Sequence, residues 1–127
     1  MQYILIFESL THAKVKDCIV NDGILFIIQE NYMGKAIGKG GANIRRIEDM
    51  LKKRLRLAEF NNDATHFVQN LLSPIQVKEI KEEDGLINIY CQDAKTKGRI
   101  IGRDKHNINW ITSVVKRYFK IEEVKVV

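Results

Sequence analysis

Proline occurs once in this 127-residue sequence, cysteine twice and tryptophan once. Without Gly-, Ser- or Pro-rich stretches there is no flexible tether, so two small domains, if present, are expected to pack rather than swing. Cys18 and Cys91 are too few and too far apart for a disulfide framework or a zinc site. Both lie in apolar, strand-like runs, which points to buried free thiols in a reducing compartment. Long apolar runs are missing too. Tyr3–Phe7 has no basic leader and is too short for a signal or a span, so a cytoplasmic protein without membrane contact is expected. His12, His66 and His106 stand alone, with no Cys or carboxylate at ligand spacing, and no metal is expected. Asp104-Lys105-His106 holds an acid and a base, but neighbours in a turn seldom converge on one atom and no Ser or Cys nucleophile is near. The glycine loops of nucleotide enzymes are absent as well: no G-x-x-x-x-G-K-[S/T], and no G-x-G-x-x-G in a parallel βαβ unit. Neither an enzyme, nor a cofactor, nor a small-molecule substrate is expected.

What is present is positive charge, unevenly spread. The net charge is +5. Residues 33–56 hold eight bases against Glu48 and Asp49, and residues 95–120 hold eight against Asp104 alone. These segments carry +6 and +7, which leaves the rest of the chain at −8. A solvated helix face interleaves both signs; two basic segments on an acidic body suit a polyanion instead.

The basic segments coincide with a repeat. Ala36-Ile37-Gly38-Lys39-Gly40-Gly41-Ala42-Asn43-Ile44 returns 64 residues later as Ile100-Ile101-Gly102-Arg103-Asp104-Lys105-His106-Asn107-Ile108. The match runs on without a gap, Ile47 with Ile111 and Leu51 with Val115, as one supersecondary unit used twice would. Upstream of the first motif, Val15–Val20 and Ile24–Ile28 flank Asn21-Asp22-Gly23, a hairpin signal. Upstream of the second, Ile75–Ile80 and Leu86–Cys91 flank a charged turn ending Asp84-Gly85. Downstream, Ile44, Ile47, Leu51 and Leu55, and again Ile108, Ile111, Val115 and Phe119, follow helical spacing. Tails at Leu55–Phe60 and Ile121–Val127 read as strands. The predicted order is β-β-α-α-β in each unit, an α+β fold with the glycine motif between two helices. Between the units, Ala64–Leu72 reads as a helix capped by Asp63 and stopped by Pro74, one side lined by Phe67, Val68, Leu71 and Leu72. Units of about sixty residues bury only about 60% of their unfolded surface, so this spacer is expected to be packed.

Gly38-Lys39-Gly40-Gly41 lets the backbone approach a ligand with positive φ at no penalty. The helix that follows offers free N–H groups and the positive end of its dipole to a phosphate. Lys35, Lys39, Arg45 and Arg46 add charge, and Ile37 and Ile44 can floor unstacked bases. In the second unit, Ile101, Gly102, Arg103, Lys105 and Asn107 take these places. The arrangement resembles the G-x-x-G loop of a KH domain, which clamps four nucleotides of single-stranded RNA. A lone glycine turn between helices has an ordinary alternative, a C-cap and a connection. The repeat, the element order and the matched basic segments favour the clamp. Trp110 falls at the position of Arg46, off the apolar stripe, either as packing at a domain seam or as a stacking platform.

The string Phe67-Val68-Gln69-Asn70-Leu71-Leu72-Ser73-Pro74-Ile75-Gln76-Val77 resembles the stretch that joins the two KH domains of NusA transcription factors. With both motifs, the resemblance spans nearly the whole chain. It implies two tandem type II KH domains, each a three-stranded sheet packed on helices and rigidly joined: residues 1–61, then 62–127, with 62–74 as a helical linker packed between them. It also implies a monomeric, minimal archaeal form without the polymerase-binding and barrel domains of bacterial members. The implied role is transcription elongation or termination, with single-stranded RNA and RNA polymerase as partners. Ribosome assembly, or a protein-interaction module with degenerate loops, is the alternative. One departure is plain: the second loop reads Gly102-Arg103-Asp104-Lys105, with lysine where the first has its last glycine.

Overall fold

The computed structural model describes residues 2–127 and divides them into two compact units, up to Phe60 and from Asn61. In the first unit, α1 (Tyr3–Thr11) leads into β1 (Val15–Val20) and β2 (Ile24–Ile28). Then come α2 (Met33–Ile37), α3 (Ala42–Leu51) and β3 (Leu55–Glu59). The sheet runs β1-β2-β3, antiparallel between β1 and β2 and parallel between β2 and β3. Asn21-Asp22-Gly23 turns the hairpin as its chemistry requires, Asp22 taking a positive φ of 54°. Ile24, Phe26 and Ile28 point to one core with Phe7, Ala36 and Ile47. Each of these large side chains contributes about 1.5–3 kcal/mol by leaving water. The rings of Phe7 and Phe26 lie 4.3 Å apart, so α1 is tied to the centre of the sheet.

The second unit repeats the plan. The helix α4 (Ala64–Leu72) precedes β4 (Glu79–Glu83), β5 (Leu86–Tyr90), α5 (Ala94–Ile101), α6 (His106–Lys116) and β6 (Glu123–Val126). Its sheet runs β4-β5-β6, with the same antiparallel and parallel pairs. The Asp63 carboxylate caps α4, accepting the Thr65 N–H at 3.2 Å. Phe67 on α4 meets Tyr118 edge-on at 5.7 Å.

Several expectations are corrected. Each unit opens with a helix, so the order is α-β-β-α-α-β. The first of these, α1, has no side-chain cap and an unbroken apolar run, YILIF, that goes right round the helix in place of a clear 3.6-residue period. The strand expected at Ile75–Ile80 lies at Glu79–Glu83. Ile75 donates its N–H to Leu72 O in a turn, and only from Lys78 onward does the backbone pair with β5. The helical stripes stop early. Leu55 is buried in β3, its N–H bonded to Glu48 Oε2 at 2.9 Å, and Phe119 follows the end of α6.

Candidate nucleic-acid interface

The two glycine motifs fold alike. In the first, α2 ends at Gly38 (φ 75°, ψ 166°), a 3-10 turn covers Lys39–Gly41, and α3 starts at Ala42. In the second, α5 ends at Gly102 (φ 75°, ψ 173°), the turn covers Arg103–Lys105, and α6 starts at His106. Gly40 (62°, 23°) corresponds to Asp104 (53°, 31°), and Gly41 (77°, 15°) to Lys105 (62°, 18°).

The glycines differ in what they require. Gly38 and Gly102 occupy a region open essentially to glycine alone. A Cβ on Gly38 would lie 2.8 Å from Asn43 Cγ, and one on Gly102 would lie 2.7 Å from Asn107 Cβ. Gly40 has open space where its Cβ would stand, and Gly41 meets only the tip of Arg45 at 3.3 Å. The last two positions therefore need left-handed backbone but no bare backbone. Aspartate enters this region more readily than most residues, and lysine does so at a cost. That difference accounts for a second loop that keeps its first glycine and loses the others.

Asn43 and Asn107 hold the loops in place. Asn43 donates from Nδ2 to Lys35 O, and Asn107 from Nδ2 to Ile100 O, both at 2.9 Å. Each ties the start of one helix to the end of the other. Asn107, expected to touch RNA, thus has its amide group engaged within the protein. Asn43 was missed, although the repeat carries asparagine five residues after the first glycine of both motifs. Lys35, Lys39, Arg45 and Arg46 are exposed around the first loop, and Arg103 and Lys105 around the second. Arg45 bends back to the turn, donating from Nη1 to Gly40 O at 2.7 Å. Ile37, Ile44 and Ile101 are half-buried, and Ile44 packs on the core. Trp110 is half-buried with its ring nitrogen covered, which suits packing better than an open stacking platform.

In the second unit a groove of about 400 Å³ runs from the loop along α6 to the edge strand β6. Ile101, Ile108, Val124 and Val126 supply its apolar surface, Lys105 and Asn109 one end. A recess of about 460 Å³ on the loop itself, bounded by Gly102, Arg103 and Asn107, also reaches Asn109. The helix α5 that delivers this loop is capped by Asp93, whose Oδ1 accepts the Thr96 N–H at 2.7 Å. That bond holds the Asp93 carboxyl below its usual range. Among the described residues no group of His, Cys, Asp and Glu is placed to hold a metal, and no helix is long and apolar enough to cross a membrane.

Comparison with known proteins agrees with this geometry. A sequence model of the KH domain matches residues 2–85. The chain is 30% identical over 128 residues to "Probable transcription termination protein NusA" of Methanocaldococcus jannaschii, covering 95% of this chain and 68% of the relative. It is 32% identical over 127 residues to the protein of the same name from Halobacterium salinarum, covering 98% and 91%. A solved structure, that of APE1850, superposes with a TM-score of 0.77 at 27% identity, covering 99% of this chain and 96% of the other.

Proposed function

The chain belongs to the KH-domain family and, within it, to the archaeal NusA-like proteins, and from that membership we propose that it binds single-stranded RNA through two tandem type II KH domains and acts in transcription elongation or termination. The observation that carries this reading is the pair of loops with matching backbone. Each opens a helix of ten or eleven residues whose first N–H groups and dipole favour a phosphate. Each is set in a basic segment of the sequence. Gly38–Gly41 with Lys35, Lys39, Arg45 and Arg46 grips the backbone of one stretch of RNA, and Gly102, Arg103 and Lys105 grip another. Ile37, Ile44 and Ile101 lie under the bases, and unpaired bases are needed to reach them. The mixed three-stranded sheets and the α-β-β-α-α-β order support the type II assignment, with the two domains taken at 1–61 and 62–127. RNA polymerase is the protein partner that the relatives' names suggest. Binding of this kind needs no cofactor and no bond-making chemistry, so on this reading the protein is not an enzyme; it is taken to act as a monomer in the cytoplasm.

The test has two arms. Fluorescence anisotropy with a labelled single-stranded RNA, competed by unlabelled duplex, should show salt-sensitive binding that duplex does not displace. Affinity capture from cells should recover RNA polymerase rather than pre-ribosomes. Recovery of pre-ribosomes alone would move the assignment to ribosome assembly. Absence of RNA binding would move it to a protein-interaction module.

A further inference from the structure

We propose that the cation beside each glycine loop sits in one place but is supplied from two different positions: by Arg45, reaching back from α3, in the first unit, and by Lys105, inside the loop, in the second. This deepens the RNA-binding reading and rests on it. It makes Lys105 a phosphate contact and not an obstruction.

In the first unit the Arg45 guanidinium donates to Gly40 O and lies 3.3 Å from where a Gly41 Cβ would stand. A side chain at position 41 would meet the movable tip of Arg45, which would have to give by a few tenths of an ångström. In this unit the position is glycine, and the charge comes from the helix. The repeat places Asn109 opposite Arg45 and Lys105 opposite Gly41. Asn109 is short and neutral, and it leaves space where the loop recess and the α6 groove meet. Lys105 emerges beside that space, from backbone within about 15° of Gly41 in φ and 3° in ψ. Lysine with φ of 62° is a strained choice that glycine, at the matching place in the first loop, avoids. The two arrangements draw on different positions, and each puts a cation at the shoulder of its loop. A lysine that merely replaced a glycine would not explain why the arginine four residues on is missing from the same unit.

The experiment is an exchange between the units, with a mixed-sequence RNA of about twelve nucleotides as probe, long enough for more than one four-nucleotide clamp. Lys105→Gly is expected to weaken binding roughly tenfold, as loss of one charged hydrogen bond would. It should make the salt slope shallower by about 0.7. It should also raise the melting temperature, because glycine accepts this backbone without strain. Adding Asn109→Arg to Lys105→Gly should restore both affinity and slope. In the first unit, Arg45→Asn should weaken binding and Arg45→Asn with Gly41→Lys should recover it. Arg45→Asn with Met50→Lys, which restores net charge on the exposed far end of α3, should not. Unchanged or tighter binding by Lys105→Gly overturns the proposal, as does failure of both rescues in variants that melt cooperatively, or equal rescue by Met50→Lys. If the unaltered chain shows no salt-dependent binding, the RNA reading itself falls and the proposal with it. That outcome is distinct, because the rise in melting temperature would still be seen.

Discussion

Gly41→Asp separates a phosphate clamp from a simple helix connection. Gly41 has φ 77° and ψ 15°, and its Cβ would meet only Arg45 Nη1, the movable end of a long side chain. The fold should lose about 1 kcal/mol or less, since aspartate enters left-handed backbone more readily than most residues. The second unit provides a control, with Asp104 and Lys105 both at positive φ in the same turn. Binding should suffer far more. The new carboxylate stands next to Arg45, pairs with its guanidinium and draws it from Gly40 O. A phosphate at about 4 Å would feel a repulsion of about 1–4 kcal/mol, depending on solvent screening. Loss of the Arg45 contact adds about 1.5 kcal/mol. The sum is roughly 2.5–5.5 kcal/mol, a loss of about a hundredfold or more. With the one cationic contact of Arg45 removed, the salt slope should also fall by about 0.7. Anisotropy with single-stranded RNA at several salt concentrations measures both quantities, and circular dichroism melting monitors the fold. A folded variant that binds within about threefold of the original chain would refute the clamp.

For the unaltered chain, log affinity for single-stranded RNA should fall linearly with log salt, at about −0.7 per phosphate contacted; a flat response or a preference for duplex contradicts the interface. Gly38→Asp and Gly102→Asp should both disrupt their loops, because each Cβ would collide with the following asparagine. On an RNA long enough to occupy both loops, Gly38→Asp should cost more affinity, since Asp104 opposes phosphate in the second loop; equal or reversed losses would refute that weighting. Burial raises the thiol pKa of Cys18, helped by the charge of Asp17, and burial also raises that of Cys91, with Lys97 opposing and Asp93 assisting. Both should alkylate more slowly than free cysteine at neutral pH and accelerate only in alkali, as quantitative mass spectrometry can follow. The Asp93 carboxyl is depressed in the folded state, so its capping contribution is present above the unfolded pKa and is lost as pH falls through the folded one. Urea midpoints measured down to a pH of about 3 should therefore drop less steeply for Asp93→Asn than for the original chain.

Much of the fold was legible because its signals are local. The hairpin at Asn21-Asp22-Gly23 follows from turn chemistry, and β1, β2 and β5 fall where their apolar runs lie. The repeat at 64 residues identified both loops, since each motif fixes its own backbone. It also held a signal that went unused. Shifting the helix Ala64–Leu72 back by the repeat length puts a helix at the start of the chain, where α1 lies. Reading that helix as a spacer, and YILIF only as an apolar run, concealed the match.

By itself, then, the sequence determined the repeated unit, the loop conformation and the placement of charge, because positive φ, turn propensity and basic residues are properties of a few neighbouring positions. Tertiary structure decided which of those residues work together. The displacement of β4 to Glu79–Glu83 depends on pairing with β5, and Leu55 leaves the helical stripe because α3 stops at Lys52 and the chain turns to pair with Ile24 in the sheet, its N–H on Glu48. Gly38 and Gly102 are obligatory because an asparagine five residues on packs where a Cβ would go, while Gly40 has open space there. The turn of Arg45 onto Gly40 O, and the gap at Asn109 that faces Lys105, likewise depend on distances between side chains. Such distances are set only once helix, loop and sheet have closed on each other, which is why no local pattern records them.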